Sequence, residues 1–358
     1  GLRKFVANSV WLSIVFAVIM TIVTCILCRQ IMTWMRTPAD IFEDANTYIF
    51  IIFIGIPATY LYNLVSGIIR SLGDSRSPLF FLIVSSVLNI GLDFLFILTF
   101  HMGVAGAAWA TVISQAVSGI GCLFYMKHKF EILKIRPEEW KMDTKYMKIL
   151  CGMGIPMGLQ YSITAIGSVI LQTAVNTLGS SAVAAITAGS KVSMFFCCPY
   201  DAMGSTMATY AGQNVGAGKL DRVKKGMLSC CLLGLIYAVL AFVFLFFFGR
   251  YTALLFMEVS EKAILGNVTT FLLINSAFFF PLSLVNIIRF TIQGMGYSVL
   301  AICAGICEMV ARSIVGFVFV PMWGFVAACF ASPVAWICAD IFLIPAFFYC
   351  LRRLKKVY

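Results

Sequence analysis

Asn89 and Asp93 lie four residues apart in a stretch otherwise built mainly of Leu, Ile, Val and Phe, and Thr111 follows in the next apolar stretch. Four residues make one helical turn, so amide and carboxylate share a face. A carboxylate, an amide carbonyl and a hydroxyl are hard oxygen donors, the set that a hard cation binds. The same carboxylate can instead hold a proton, because burial favours the neutral acid. An ionisable side chain at membrane depth costs on the order of 2.5–3.5 kcal/mol or more and is a site hypothesis by default. The competing reading is a polar network with no ion.

Two antiparallel helices that turn near residue 102 would position these groups. Asp93 stands nine residues before that turn and Thr111 nine after it. At about 1.5 Å per residue both sit roughly 13 Å from the turn, near the middle of a ~30 Å hydrocarbon core.

The composition demands such a setting. The chain is 61% hydrophobic and 11% charged, with 32 Phe, more apolar surface than a soluble fold of this length could bury. The net charge of +11 suggests nucleic acid only until the basic residues are mapped, because they segregate by side of a membrane and form no patch. Thirteen Cys are scattered through apolar runs, and the one CxxC, Cys25/Cys28, has no second pair. They read as small core residues, not as a zinc or redox centre. No residue is assigned as catalytic and no cofactor is expected beyond a coupling ion.

Ten membrane helices are predicted, at about 8–28, 48–69, 79–100, 104–126, 149–174, 183–210, 227–248, 266–289, 297–319 and 325–350. Residues 1–126 form a first lobe, 127–148 a polar linker, and 149–358 a second lobe. Lys and Arg set the orientation. Arg3, Lys4, Arg70, Arg76, the linker, Lys219, Arg222, Lys224, Lys225, Arg289 and the tail Arg352, Arg353, Lys355 and Lys356 fall on one side. Only Arg29, Arg36, Arg250 and Lys262 fall on the other. The first group is expected to be cytoplasmic, together with both ends of this chain.

The chain also resembles itself at an offset of 221–223 residues. Gly73 aligns with Gly296, Asn63 with Asn286, and Gly103-Val104-Ala105 with Gly324-Phe325-Val326. The helices at 149–210 have no counterpart in the first half. Two further helices, about 80 residues, are therefore expected upstream of Gly1. With them each repeat has six helices and the two copies run parallel, related by an axis along the membrane normal. The second copy carries Arg312 and Gly316 at the positions of Asn89 and Asp93, so the polar pair belongs to one lobe only.

Four motifs together resemble the multidrug and toxic compound extrusion (MATE) transporters. They are Arg70-Ser-Leu-Gly-Asp-Ser-Arg-Ser-Pro78, Asn89-Ile-Gly-Leu-Asp93, Gly103-Val-Ala-Gly-Ala-Ala-Trp-Ala-Thr111 and Gly212-Gln-Asn-Val-Gly-Ala217, and the segment Gly154-Ile-Pro-Met-Gly-Leu-Gln160 looks like that family's entry to its seventh helix. The resemblance runs from the family's third helix to its twelfth. It implies a twelve-helix fold of two six-helix lobes. It also implies export of organic, often cationic and amphipathic compounds, driven by inward Na⁺ or H⁺. In relatives with a first-lobe cation site, Asn89, Asp93 and Thr111 match the ligands and Ala107 matches a backbone-carbonyl ligand; a first-helix Asp completes it. Other relatives carry a seventh-helix Glu, where this chain reads Ser162-Ile163-Thr164.

Glu308 and Arg312, four apart, are read as a structural ion pair in preference to a gate. Lys191 and Asp201 are ten residues apart, too far along one helix to pair. Asp201, Asp340, Lys191, Gln160, Gln172, Asn176 and Asn286 are candidates for a substrate cavity, with Asn275 beside them. Polar side chains tying helices together is the competing reading for each. Gly212 to Lys219 glances at a phosphate loop, but Gln213 and Leu220 break the pattern. The leading reading is a monomeric plasma-membrane antiporter with no ATPase partner. The alternatives are a lipid-linked precursor flippase and a non-transporting remnant.

Overall fold

The computed structural model describes residues 1–35, 37–255 and 262–356, with the side chains of Lys262 and Ala263 left out. Arg36 and the Lys262 side chain, both used in the orientation argument, therefore lie outside the described residues. Every regular element among the described residues is helical. Among the described residues eight helices are long and apolar enough to cross a membrane, and counting each of two bent pairs as one span gives ten. In the bilayer core each backbone polar group must find its partner inside the span, which leaves the helix as the one solution for such runs.

The chain divides into two compact units, Gly1–Leu150 and Cys151–Tyr358. The first contains α1 (Leu2–Ile26), α2 (Cys28–Trp34), α3 (Phe42–Ile54), α4 (Ile56–Ser71), α5 (Arg76–Asp93) and α6 (Gly103–Lys129). Helix α7 (Thr144–Asn176) starts at its end. The second continues with α8 (Ser180–Gly216), α9 (Leu220–Ala253), α10 (Lys262–Ala277), α11 (Phe279–Gly294), α12 (Ser298–Ile314), α13 (Val320–Trp323) and α14 (Phe325–Leu354). Leu232, Leu233, Ile236, Val239, Leu240, Val243 and Phe247 form an exposed apolar face on α9. In water such a face would be a liability; against lipid tails it is the solvent-matched one.

Several boundaries differ from the sequence expectation. Helix α7 starts at Thr144 instead of 149, and α9 at Leu220 instead of 227. Their first turns carry Lys145, Lys148, Arg222 and Lys224, which hydropathy excludes but helix geometry accepts. The segment 127–148 is ordered along its length. Its first residues complete α6, its last begin α7, and the part between lies along α1. There Arg3 Nε donates to the Ile132 carbonyl at 3.0 Å, Trp11 Nε1 to the Trp140 carbonyl at 2.8 Å, and the Asp143 amide to Asn8 Oδ1 at 2.9 Å.

The internal repeat is visible in the backbone of each unit taken by itself. The chain bends by 43° between α3 and α4, at Gly55, and by 50° between α10 and α11, at Phe278. Pro57 and Pro281, just past the bends, each lack the N–H that would close the preceding turn. Gly73 and Gly296 both have φ of 92°, and Gly103 and Gly324 have φ of 57° and 61°, a region that favours glycine. Helix α5 widens into a π-helical segment at Phe94–Thr99, and α12 into another at Val315–Phe319. This last pair sets an offset of 221 here, which aligns Asn89 and Asp93 with Val310 and Ile314 in place of Arg312 and Gly316. Neither register gives the second copy an Asn/Asp pair.

Glycine makes the close crossings in the second unit. A Cβ on Gly294 would collide with the Ala208 carbonyl oxygen, and one on Gly234 with the Ser283 hydroxyl. Small residues let helix backbones approach where lipid supplies no hydrophobic drive.

Candidate functional site

In the first unit α5 and α6 are antiparallel neighbours joined by the tight turn at His101–Gly103, whose first and last residues have positive φ. This hairpin brings Asn89 and Thr111 together as its register requires. Asn89 Nδ2 donates to Thr111 Oγ1 at 3.5 Å, and Thr111 Oγ1 donates to the Ala107 carbonyl at 3.1 Å. Three of the four sequence-derived positions thus form one chain of polar contacts, and it leaves the Asn89 carbonyl oxygen outside the chain. Asp93 is half-buried one turn further along. Its Oδ1 is buried and finds no hydrogen-bond partner among the described residues. Asp93 is also the last α-helical residue before the π segment, a backbone form that concentrates at functional sites.

Asn89 and Thr111 line a cavity of about 340 Å³ with Thr59, Asn63, Ser86 and Gln115. The Thr59 hydroxyl donates to Gln115 Oε1 across it. Sequence reasoning missed this wall; the signal was present in α4, where Thr59 and Asn63 are four apart and share a face. The neighbouring backbone is close. A Cβ on Gly55, at the bend, would collide with the side chain of Val112, the residue after Thr111.

The far end of the same unit carries a charged cluster on the α4–α5 turn. Lys129 Nζ lies 2.9 Å from Asp74 Oδ2, while the Ser77 hydroxyl and the Tyr125 hydroxyl also donate to that oxygen at 2.7 and 3.1 Å. The Lys129 ammonium, followed by these hydroxyls and the Ser77 amide, holds the Asp74 carboxyl well below the usual carboxylate range.

The second unit contains a different arrangement. Glu308 is bonded on both oxygens: Arg312 Nη2 lies 3.3 Å from Oε2, as the i,i+4 spacing predicts, and Arg289 Nη1 lies 2.9 Å from Oε1. Arg289 is therefore a buried partner on α11 and not a surface charge of the cytoplasmic group. Asn286 Oδ1 accepts from Arg289 Nη2 at 2.9 Å, so Asn286 ties charges together inside the unit. Gln160 is 2% exposed. Gln293 Nε2 donates to Gln160 Oε1 at 2.8 Å, and the other end of the Gln160 amide lies 3.1 Å from Nη1 and Nε of Arg289. Asp340 is buried on α14. Gln172 donates to Asn176 at 2.9 Å as a local pair on α7, while Asn275 bonds the Phe271 and Cys329 carbonyls and so fastens α10 to α14. Lys191 and Asp201 are exposed on α8 and the structure does not join them to this cluster.

The comparisons with known proteins follow the same lines. A family model described as MatE matches residues 1–95 and 156–328. The Probable multidrug resistance protein YpnP of Bacillus subtilis is 33% identical over 264 residues, which cover 73% of this chain and 58% of that protein. The FAD transporter of Shewanella oneidensis is 25% identical over 271 residues, 74% of this chain and 59% of that one. The chain thus spans under two thirds of the length of these relatives. A solved outward-facing conformation of a multidrug resistance MATE family transporter of the MOP superfamily superposes with a TM-score of 0.93. It is 21% identical and the match covers 99% of this chain and 79% of the other, a likeness of fold.

Proposed function

The chain belongs to the MatE family, and from that premise we propose that it acts as a cation-coupled antiporter, driven by Na⁺ or H⁺, which exports drugs or toxic organic compounds by alternating access. It is a multi-pass protein of the cytoplasmic membrane in this reading, with the basic ends of its helices inside. Its substrates are small organic molecules, cationic and amphipathic ones foremost. The name of the Bacillus relative supports a drug; that of the Shewanella relative keeps a larger, anionic cofactor within the range of the fold.

The observation that carries the proposal is the bare, buried Oδ1 of Asp93 beside the Asn89–Thr111–Ala107 chain. A buried carboxylate oxygen without a donor is an open ligand that a coupling cation can fill. Asn89, Thr111 and the Ala107 carbonyl supply further oxygens of the kind that suits Na⁺. Occupancy would change which packing of α5 and α6 is stable, and the π segment that starts after Asp93 is where α5 can re-register. A substrate that binds the two packings unequally is then coupled to the ion.

The test is efflux of ethidium, a cationic amphipathic dye, from cells expressing the chain. Asp93→Asn at equal expression should lower gradient-driven efflux by about 5- to 150-fold, the span of ordinary coupling energies. Unchanged efflux in that variant would sink the coupling site. Dye retention equal to vector-only cells in the parent would sink export itself and favour the non-transporting alternative.

A further inference from the structure

The second unit holds four charged groups that the proposed cation site leaves unused. Arg289 on α11, Glu308 and Arg312 on α12, and Asp340 on α14 are 9, 3, 6 and 7% exposed. They are two cations and two carboxyl groups, but the bonds are divided unequally. Both guanidinium groups sit on Glu308. Asp340 Oδ1 is buried with no partner among the described residues, and so is Nη1 of Arg312.

The groups around Asp340 can be named helix by helix. Of the helices packed against α14, α12 contributes Glu308 and Arg312, and α11 contributes Arg289. Helix α10 carries one further ionisable residue, Lys262, whose side chain is not described. An ionised carboxylate in this setting would face a second carboxylate while both nearby cations are engaged elsewhere. Burying a charge without a bonded partner is the costliest arrangement open to it, and neutralisation is its usual escape.

We propose that Asp340 is a proton-binding carboxyl of the second unit, which exchanges its proton for one of the two arginines that Glu308 holds in this conformation. In the exchange one guanidinium leaves Glu308 for Asp340. The O–H bond of the Asp340 acid breaks and its proton passes to water. Glu308 keeps the other arginine. The cluster goes from a charge of one positive to neutral, so the proton released balances the step. The free N–H of Arg312 and the longer of the two bonds, 3.3 against 2.9 Å, show that the present division is not saturated. The exchange draws α14 and α11 or α12 into a new bond. It is therefore a proton-linked rearrangement inside one unit, and only its service to transport rests on the function proposed above.

Infrared difference spectroscopy on the purified full chain in lipid reads this without any transport. At neutral pH the parent should show a protonated-carboxyl C=O band that moves on ¹³C labelling of aspartate. The band should persist in an Asp93→Asn/Asp201→Asn variant and vanish in Asp340→Asn. Glu308→Gln, which frees both arginines, should ionise Asp340 and remove the band as well. If Asp340→Asn fails to fold, the labelled parent, the double variant and Glu308→Gln still decide. No label-sensitive band in the parent, its loss in the double variant, or its survival in Glu308→Gln each overturns the proposal. Dye efflux fails or succeeds independently of these bands, so the two readings are separable.

Discussion

Replacing Glu308 by Ala removes the one carboxylate that two buried arginines share, and the structure orders the cost. Glu308 accepts from Arg289 at 2.9 Å and from Arg312 at 3.3 Å, and all three groups are buried. Each charge-assisted bond contributes roughly 1.5–3 kcal/mol, and breaking a buried pair costs about 3–5 kcal/mol because a charge is left unmatched. Those figures overlap, so Glu308→Ala should cost about 5 kcal/mol. Arg312→Ala removes only the longer bond and leaves the Arg289–Glu308 pair intact, at about 1.5–3 kcal/mol. At ~2–4 °C per kcal/mol for a unit of this size, the melting temperatures should fall by ~10–20 °C and by ~3–12 °C. Arg289→Ala, which also deprives Asn286 Oδ1 of its donor, should lie between. Thermal unfolding in detergent, followed by tryptophan fluorescence, gives the order. A Glu308→Ala protein that melts with the parent, or above Arg312→Ala, would refute the shared-carboxylate argument.

Other perturbations address the first unit. Gly55→Ala puts a methyl group into Val112 beside Thr111, and overpacking of this kind costs about 1–3 kcal/mol; ethidium efflux should drop more than expression does, and a compensating Val112→Ala should restore it. Asp74→Asn removes a carboxyl whose ordinary value near 3.9 is lowered by Lys129. The stability it contributes is complete above that ordinary value and is lost as pH falls through the lowered one. The melting difference between parent and variant should thus be constant from neutral pH to about pH 5 and shrink only below about pH 4, and a difference that grows on acidification would contradict the assigned direction.

The spans were legible because a ~30 Å core needs some twenty apolar residues, and little else in a sequence looks like that. Their ends were not, because Lys145 or Arg222 reads as loop in a hydropathy profile while its backbone remains helical. The meeting of Asn89 with Thr111 followed from counting residues on either side of a turn. The isolation of Asp93 Oδ1 did not, because the π segment that begins after it has no signature in the local residue pattern. Arg289 was misplaced for a related reason. Counting Lys and Arg along the chain treats each as a surface charge, and its partner Glu308 lies 19 residues away on another helix. Glu308 and Arg312 were found because their contact is local.

The segment laid along α1 bears on the order in which the protein is made. Arg3, Trp11 and Asn8 take partners at Ile132, Trp140 and Asp143, all about 130 residues later in the chain. Helix α1 therefore leaves the ribosome well before the segment that supplies these partners. At the usual ~5–20 residues per second, α1 waits several seconds with Asn8 Oδ1 and the Trp11 indole N–H unmatched. An insertion or stall within residues 130–143 should expose that interval to quality-control proteases, although it touches no membrane span and neither candidate site.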